Sequence, residues 1–593
     1  MAGIAAACAV CGRPGAGIAS AATSFGHGGG QRRRAVRAAL AVGVGVGSAG
    51  IFVLSGDEGF KRAVQFNYNV LPIALHYKAV EMYTRGRSDK EKSEAFARLH
   101  AKYAPISLDI VLRQKGFYVK TAQFLSQYSD AIPAEYIEAF KILRDDAPAL
   151  PFCRVKAIVE AELGMPLNKV FMQFDAKPVG AASIGQVHAA KFLDGSDAVV
   201  KVQYPDAERQ FHIDVDLSVR LAKVLAPHYV DILLQLKKTF ATEFDYRREA
   251  RLQREAHNRL RDMPGVVVPL PFDEEHPKCQ ALPGGRGLVT KHMFVMERLR
   301  GRPVDRWAVE QVQELAGREG RSPEEVMQRL RSMSQVEIER MVPSEGKLRA
   351  YGLALDARDR IRNSVALVYN WSIGWVGAPI AYTRSPRPVN VHEVIDRLFR
   401  VQARCIFQEG FFNADPHAGN VLLLDDGRLG LIDWGQVACL TEPQRVRFAR
   451  AVVAVADRDE PLIAKFAWDM GVRTQNRDAW VVMKLGTFWL GSFGDDVCGE
   501  LGGPTSFEQN LARIDPLVAT GDEYFSAVRC MMMTRGVAAL MGLPFVDSSL
   551  RMRSAAVAVL RGVGEEMQTT PGSKLPRPDL DAILGSRPSA STS

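Results

Sequence analysis

Two aspartates and an asparagine stand at spacings that suit phosphoryl transfer. Phe411-Phe-Asn-Ala-Asp415-Pro-His-Ala-Gly-Asn420 is followed by an apolar run, a turn at Asp425-Asp-Gly, a second apolar run and Leu431-Ile-Asp433-Trp-Gly435. In this chemistry one carboxylate orients or deprotonates the acceptor hydroxyl, while oxygen ligands hold Mg²⁺ against the nucleotide phosphates. Asp415 is the candidate for the first task, and Asn420 and Asp433 are the candidates for the second. Two unrelated aspartate turns would give no reason for this order, or for the paired apolar strands between them.

A nucleotide also needs a positioned cation, and Val200-Lys201-Val202 places a single lysine on an apolar strand. Lysine is flexible and costly to desolvate alone, so a kinase aligns such a residue with a helix glutamate. Glu243, Asp245 and Glu249 are predicted to lie on one helix. At about 100° per residue Asp245 and Glu249 fall about 40° apart, while Glu243 points elsewhere. Spacing alone leaves Asp245 or Glu249 as the partner. The loop ahead of the lysine, Gly180-Ala-Ala-Ser-Ile-Gly185-Gln186, lacks the Lys-Ser/Thr of a P-loop, and Ala182 occupies the middle position of what would be G-x-G-x-x-G. A Walker-type NTPase is disfavoured, and the loop is expected to cover a nucleotide with altered geometry.

The chain that must position these groups has 593 residues, 47% apolar and 24% charged, enough for several domains with ordinary cores. Five arginines precede the first acid, Asp57, so the formal charge of +9 falls largely on the leader and is no nucleic-acid footprint. Eight scattered cysteines make no disulfide framework. Residues 1–37 are basic and acid-free, the composition of an organellar transit peptide. Residues 38–56 are uncharged and would span about 28 Å as a helix, so a single N-terminal transmembrane helix is predicted there.

Residues 57–152 read as a helical extension, with apolar residues at three- and four-residue spacings. Strands are predicted over 183–190 and 198–204, joined by a turn at Leu193-Asp-Gly-Ser-Asp, with further strands at Val266-Val-Val and over 288–297; together they read as a small mixed sheet. Helices fill 206–262. Residues 366–382 read as a buried or interfacial helix, and the Pro/Ser-rich end from Pro571 as a disordered tail.

At these residues the sequence resembles the UbiB family of atypical kinases, also called aarF-domain kinases. The family's A-A-A-S-I-G-Q-V-H loop appears as Gly180-Ala-Ala-Ser-Ile-Gly-Gln-Val-His188, its strand lysine as Lys201, its E-x-D as Glu243-Phe-Asp245 and its ion-pair glutamate as Glu249. The N-terminal K-x-G-Q motif appears as Lys120-Thr-Ala-Gln123, with Ala122 in place of glycine. By this resemblance Glu249 is the partner of Lys201. Nucleotide contacts fall to Ala181, Ala182, Ser183, Gln186, Val187, Lys201, Met296 and Glu297, while Lys120, Gln123, Glu243 and Asp245 belong to a regulatory extension that folds over the nucleotide site.

The resemblance implies an α+β, two-lobed protein-kinase-like fold: a lobe over 153–300 and another over 301–570 with an insertion at about 303–390. It implies ATP and Mg²⁺ as cofactors, and ATP hydrolysis or phosphorylation of a small or lipid-like molecule in support of coenzyme Q or lipid metabolism. The leader points to a mitochondrial inner membrane, with a plastid as the alternative, and the family to partners in a quinone or lipid biosynthetic assembly. A nucleotide-binding scaffold regulating membrane partners is the second reading. A protein kinase is third, since no Ala-Pro-Glu follows Asp433. The Ala122 methyl is expected to crowd the extension, so that glycine there would tighten it.

Overall fold

The computed structural model describes residues 58–584, apart from 115–117, 120, 123–132, 141–148, 182–183, 226–229, 282–285, 335–336, 338–339, 342, 374–376, 384, 386–388 and 505. The 1–37 leader, the 38–56 run, Lys120, Gln123, Ala182 and Ser183 lie outside the described residues. Among the described residues, no helix is long and apolar enough to cross a membrane. The chain divides into two compact units: one runs to Arg254 and includes Leu270–Arg298, and the other holds Glu255–Pro269 and everything from Leu299.

The first unit has a helical part and a sheet. Helices α1 (Glu58–Tyr83), α2 (Asp89–Gln114), α4 (Ala207–Leu225) and α5 (Val230–Ala241) enclose one core containing Phe66, Val70, Leu99, Tyr118, Phe211, Val215 and Phe240. The extension read at 57–152 therefore shares its hydrophobic interior with residues 207–241. Three polar groups inside that core bond to one another: the Tyr77 hydroxyl is 2.8 Å from His100 Nδ1 and 3.1 Å from the Tyr136 hydroxyl, as burial favours.

Helix α3 (Phe152–Leu163) precedes a five-stranded sheet of β1 (Phe171–Phe174), β2 (Gly180–Ala181), β3 (Gly185–Phe192), β4 (Asp197–Gln203) and β6 (Met293–Glu297), in the order β1-β3-β4-β6 with β2 against β3. Every pairing is antiparallel, which corrects the mixed sheet expected from sequence. Period-two alternation puts Val200, Val202 and Val295 into a core against α3, and leaves Val199 and Phe294 on the opposite face beside α6 (Tyr246–Leu260).

In the second unit β5 (Val266–Val267) runs parallel to β10 (Leu429–Leu431), which pairs with β9 (Val421–Leu424) and, beyond it, β7 (Gly301–Pro303). Val266-Val-Val thus belongs to this sheet and not to the sheet carrying Lys201, a second correction; a short apolar run carries no information about which sheet completes its hydrogen bonds. Strands β8 (Phe411–Asn413) and β11 (Val437–Cys439) form a separate antiparallel pair. Helices α7 (Val304–Glu319), α9 (Val391–Ala403), α10 (Glu442–Ala456), α11 (Glu460–Asp469), α12 (Asp522–Leu540) and α13 (Ser548–Gly562) supply most of the remaining mass.

Two further expectations change. Residues 571–584 are held against the protein, not disordered: the Glu460 carboxylate accepts from the Leu575 N–H at 2.8 Å and pairs with Lys574, and Leu580 is buried. Residues 366–382 are not one helix. Helix α8 (Glu345–Ser372) ends within them, and the described residues from Gly377 to Thr383 run back without helical structure.

Ala122 is fully buried in the helical core beside Tyr118 and Val119. Its methyl fills space, so the expected tightening by glycine is reversed: Ala122→Gly removes packed atoms and lowers helix propensity. The variant should lose about 1–2 kcal/mol, read as a lower midpoint in urea denaturation, and a variant as stable as the parent would contradict this packing.

Candidate active site

In the second unit the candidate residues are carried on a hairpin. Leu431 pairs with Val421 across β9 and β10, so Asn420 and Asp433 emerge at the same end, and the Ile432 N–H donates to the Asn420 carbonyl at 3.2 Å. The register that buries the apolar faces of these strands therefore also sets the two oxygen-bearing side chains together. Asp415 arrives on the other strand pair: β8 runs antiparallel to β11, Asn413 opposite Val437, and the Ala414 N–H donates to the Gln436 carbonyl at 2.8 Å.

Asn413 ties the two loops together. Its Nδ2 donates to the Asp433 carbonyl at 2.6 Å, and its Oδ1 accepts from the Asp415 N–H at 2.8 Å. The residue is buried, so both halves of the amide are spent on the backbones that present the two aspartates. Trp434 anchors the following turn: it is buried, stacks on Phe411 and donates its indole N–H to the Leu431 carbonyl at 3.3 Å. Asp433 Oδ1 accepts from the Gly435 N–H at 2.9 Å, which fixes the carboxylate's orientation.

Arg529, on α12, donates to Asp415 Oδ1 at 3.0 Å, with side chains 19% and 21% exposed respectively. No local pattern reveals this contact, since 114 residues separate the partners. Asn413 was visible within the motif, but its role depends on the fold of both loops. An Asn amide oxygen and an Asp carboxylate are hard oxygen donors, the type Mg²⁺ takes alongside phosphate oxygens. The donor set at Asn420 and Asp433 thus fits that ion. Among the described residues no cluster of three or more His, Cys, Asp or Glu offers another metal site.

The first unit carries Lys201 and Glu249. Lys201 Nζ donates to both oxygens of Glu249, at 2.7 and 2.9 Å, in a largely buried pair that lies 5.0 Å from the Tyr246 ring centroid. Glu249 sits in the first turn of α6. Asp245 takes a different part: it is an extended residue between a short 3₁₀ turn, Thr242–Phe244, and α6. Glu243, Asp245 and Glu249 therefore do not share one helix, which removes the basis of the face argument. The Asp245 carboxylate accepts from the Arg247 backbone and guanidinium, a pairing that holds its pKa below the ordinary range.

Ala181 and Gln186 face each other across the β2–β3 hairpin, and Val187 lies opposite Lys201. Gly185 must lack a side chain, because a Cβ there would overlap the Val202 carbonyl oxygen. The Gln186 side chain, at a position expected to contact nucleotide, is engaged by Leu150 and His188. Its Oε1 accepts from the Leu150 N–H at 2.6 Å, while its Nε2 lies 3.3 Å from the Leu150 carbonyl and 2.8 Å from His188 Nε2. Met296 is buried, with its sulfur 3.2 Å from Gln253 Nε2, and Glu297 accepts from the Leu270 N–H at 3.0 Å.

His188 lies buried behind this loop, its Nδ1 donating to the Asp175 carbonyl at 2.7 Å and its Nε2 accepting from Gln186. Burial lowers its pKa from 6.5. The unfolded chain then takes the proton first, so stability should fall as pH drops below about 6.5; His188→Gln should flatten that slope in Tm measured against pH, and an unchanged slope would exclude His188 as its source. Asn413→Ala should cost about 2–4 kcal/mol in denaturant titration, because it leaves the Asp415 N–H and the Asp433 carbonyl without their shared partner. A loss below 0.5 kcal/mol, on the same scale, would contradict the clamp.

The sequence is similar to known proteins. A family model described as the ABC1 atypical kinase-like domain matches residues 142–341 and 364–467. An uncharacterized protein of Synechocystis is 34% identical over 192 residues, 31% of this chain and 32% of that one. AarF domain-containing protein kinase 1 of Xenopus laevis is 22% identical over 459 residues, 74% of this chain and 71% of its own. ACTIVITY OF BC1 COMPLEX KINASE 8, chloroplastic, of Arabidopsis thaliana is 23% identical over 428 residues, 70% of this chain and 44% of its own. The matches thus span about a third of the Synechocystis protein and under half of the Arabidopsis one. With a kinase-like α+β architecture and a family match over more than half its length, this chain belongs to the ABC1, or AarF-domain, family of atypical kinase-like proteins.

Proposed function

We propose that the protein is a Mg²⁺- and ATP-dependent phosphotransferase or ATPase that uses Asp415 toward water or a small or lipid-like acceptor, in support of coenzyme Q or lipid metabolism at an organellar membrane. The observation that carries the reading is the Asn413 clamp, which presents Asp415 and Asp433 from one buried amide. When bound, Mg²⁺-ATP supplies the transferable phosphoryl group, with Asn420 and Asp433 as the residues that would hold the metal. Glu249 fixes the Lys201 ammonium in one orientation, so little entropy remains to be lost when it meets phosphate oxygens. Asp415 is held at two points, its N–H by Asn413 Oδ1 and its acceptor-only carboxylate by Arg529, and so orients an acceptor hydroxyl.

The acceptor class rests on the resemblance of Lys120 and Gln123, together with Glu243 and Asp245, to the family's occluding motifs. The membrane, the mitochondrial or plastid address and partners in a quinone or lipid assembly rest on the 1–56 leader, and on a relative whose name includes "chloroplastic". A nucleotide-binding scaffold with little turnover is the second reading. It is favoured by the Arg529 ion pair, since an acceptor proton must compete with a guanidinium for Asp415.

Turnover separates the readings. The full chain, with and without added membranes, should hydrolyse ATP. Asp415→Asn should retain nucleotide binding but lose about a hundredfold or more in rate, and Asp433→Asn should weaken Mg²⁺-ATP binding in calorimetry. Equal, residual rates in wild type and Asp415→Asn with intact binding would establish the scaffold. Efficient Asp415-dependent phosphorylation of a peptide library would overturn the small-acceptor assignment.

A further inference from the structure

Helix α8 and the segment returning from it form a hairpin whose two faces differ in an uncommon way. On the inner face Asn363 and Asn370 each grip the returning backbone from both sides. Asn370 Nδ2 donates to the Ile380 carbonyl at 2.9 Å and its Oδ1 accepts from the Ile380 N–H at 2.7 Å. Asn363 does the same with Thr383, at 2.8 and 2.6 Å. Below them Asp359 accepts from the Ser385 N–H and hydroxyl, and Arg358 donates to the same hydroxyl. A non-helical strand normally depends on water for its backbone hydrogen bonds; here side chains of the neighbouring helix meet part of that need.

The outer face is apolar and uncovered. Ile361, Val365 and Val368, four and three residues apart, make one stripe, flanked by Leu367 and Trp371, with Ile380 and Tyr382 exposed on the return. Trp371 is 86% exposed and Val368 64%. No charged residue occurs from Asn363 to Thr383. At the base the sign is largely positive: Arg358, Arg360 and Arg362 are exposed on the helix, against Asp356 and Asp359, the latter engaged with Ser385.

We propose that this hairpin is a monotopic membrane-docking element, its apolar face entering the acyl boundary of an anionic bilayer and its basic base resting at the headgroups. Three features favour lipid over a protein surface. Backbone groups of Ile380, Thr383 and Ser385 on the return are satisfied from within, which matters where water is absent. Exposed Trp371 and Tyr382 lie within the uncharged stretch, and both residue types are enriched at membrane interfaces. The arginines complement anionic headgroups over a Debye length. This deepens the membrane part of the function proposed above by naming the surface that makes contact, and it does not depend on phosphoryl transfer.

Tryptophan quenching tests it in the full chain, because it reports the hairpin whatever other segment holds the protein to the bilayer. With phosphatidylcholine vesicles containing 30% phosphatidylglycerol (on the order of an anionic leaflet) and brominated acyl chains, wild type should be quenched, and Trp371→Phe should lose a clear share of that quenching. Arg360→Glu with Arg362→Glu should raise the lipid concentration needed by about fivefold or more, as 0.5 M salt (roughly a 4–5 Å Debye length) should. Val365→Ser, Val368→Ser and Trp371→Ser together should abolish the hairpin's contribution while the thermal midpoint and Mg²⁺-ATP binding stay at wild-type values. Identical quenching in wild type and Trp371→Phe would overturn the proposal. Concentration-dependent dimerisation that the triple serine variant removes, without vesicle quenching at position 371, would assign the face to a second copy of this chain and overturn it equally. Loss of docking with normal ATP turnover would remove this surface alone and leave the assigned chemistry standing.

Discussion

One buried amide ties together the two loops that carry Asp415 and Asp433. Asn413 donates to the loop that carries Asp433 and accepts from the backbone of Asp415, so neither loop can shift without breaking a buried hydrogen bond. Carboxylates near each other repel, and a site that relies on both needs their positions fixed by something other than their mutual energetics. The register of β9 and β10 does the same for Asn420, since the pairing that buries leucines also fixes which residues leave the hairpin together.

The Lys201–Glu249 pair in the first unit follows a different logic. A buried ion pair adds little net stability, because desolvation offsets most of the attraction, but removing one partner leaves an uncompensated charge at a cost of about 3–5 kcal/mol. Its value is orientation. The pair is built from a strand and the first turn of a helix, elements whose positions are set by the cores around Val200 and around Tyr246 and Phe294. Arg529 extends the same use of charge to Asp415, from a helix far along the chain.

Local spacing made much of this legible. Asp415, Asn420 and Asp433 could be read because a hairpin has a short, regular geometry, and Lys201 because a charge on an apolar strand needs a reason. Long-range choices could not. Val266 joins β10 because that strand had an open edge, a fact absent from the run of valines itself. Asp245 looked like a helical neighbour of Glu249 until the chain broke helix one residue before α6 and turned its carboxylate to Arg247. Gln186 sits in the loop motif, yet its amide is consumed by Leu150, 36 residues earlier. The residues after Pro571 have the composition of a tail, and their order comes from the Glu460 carboxylate and the burial of Leu580.

The central claim is that Asn420 and Asp433 form one metal site that works with a bound nucleotide. Electron paramagnetic resonance of Mn²⁺ in place of Mg²⁺ measures this directly, since the ion's spectrum broadens when protein ligands immobilise it. The account predicts a single nucleotide-dependent Mn²⁺ per chain, lost in Asp433→Asn and weakened in Asn420→Ala, with the rest of the fold intact by circular dichroism. A bound-ion spectrum unchanged in both variants would contradict it.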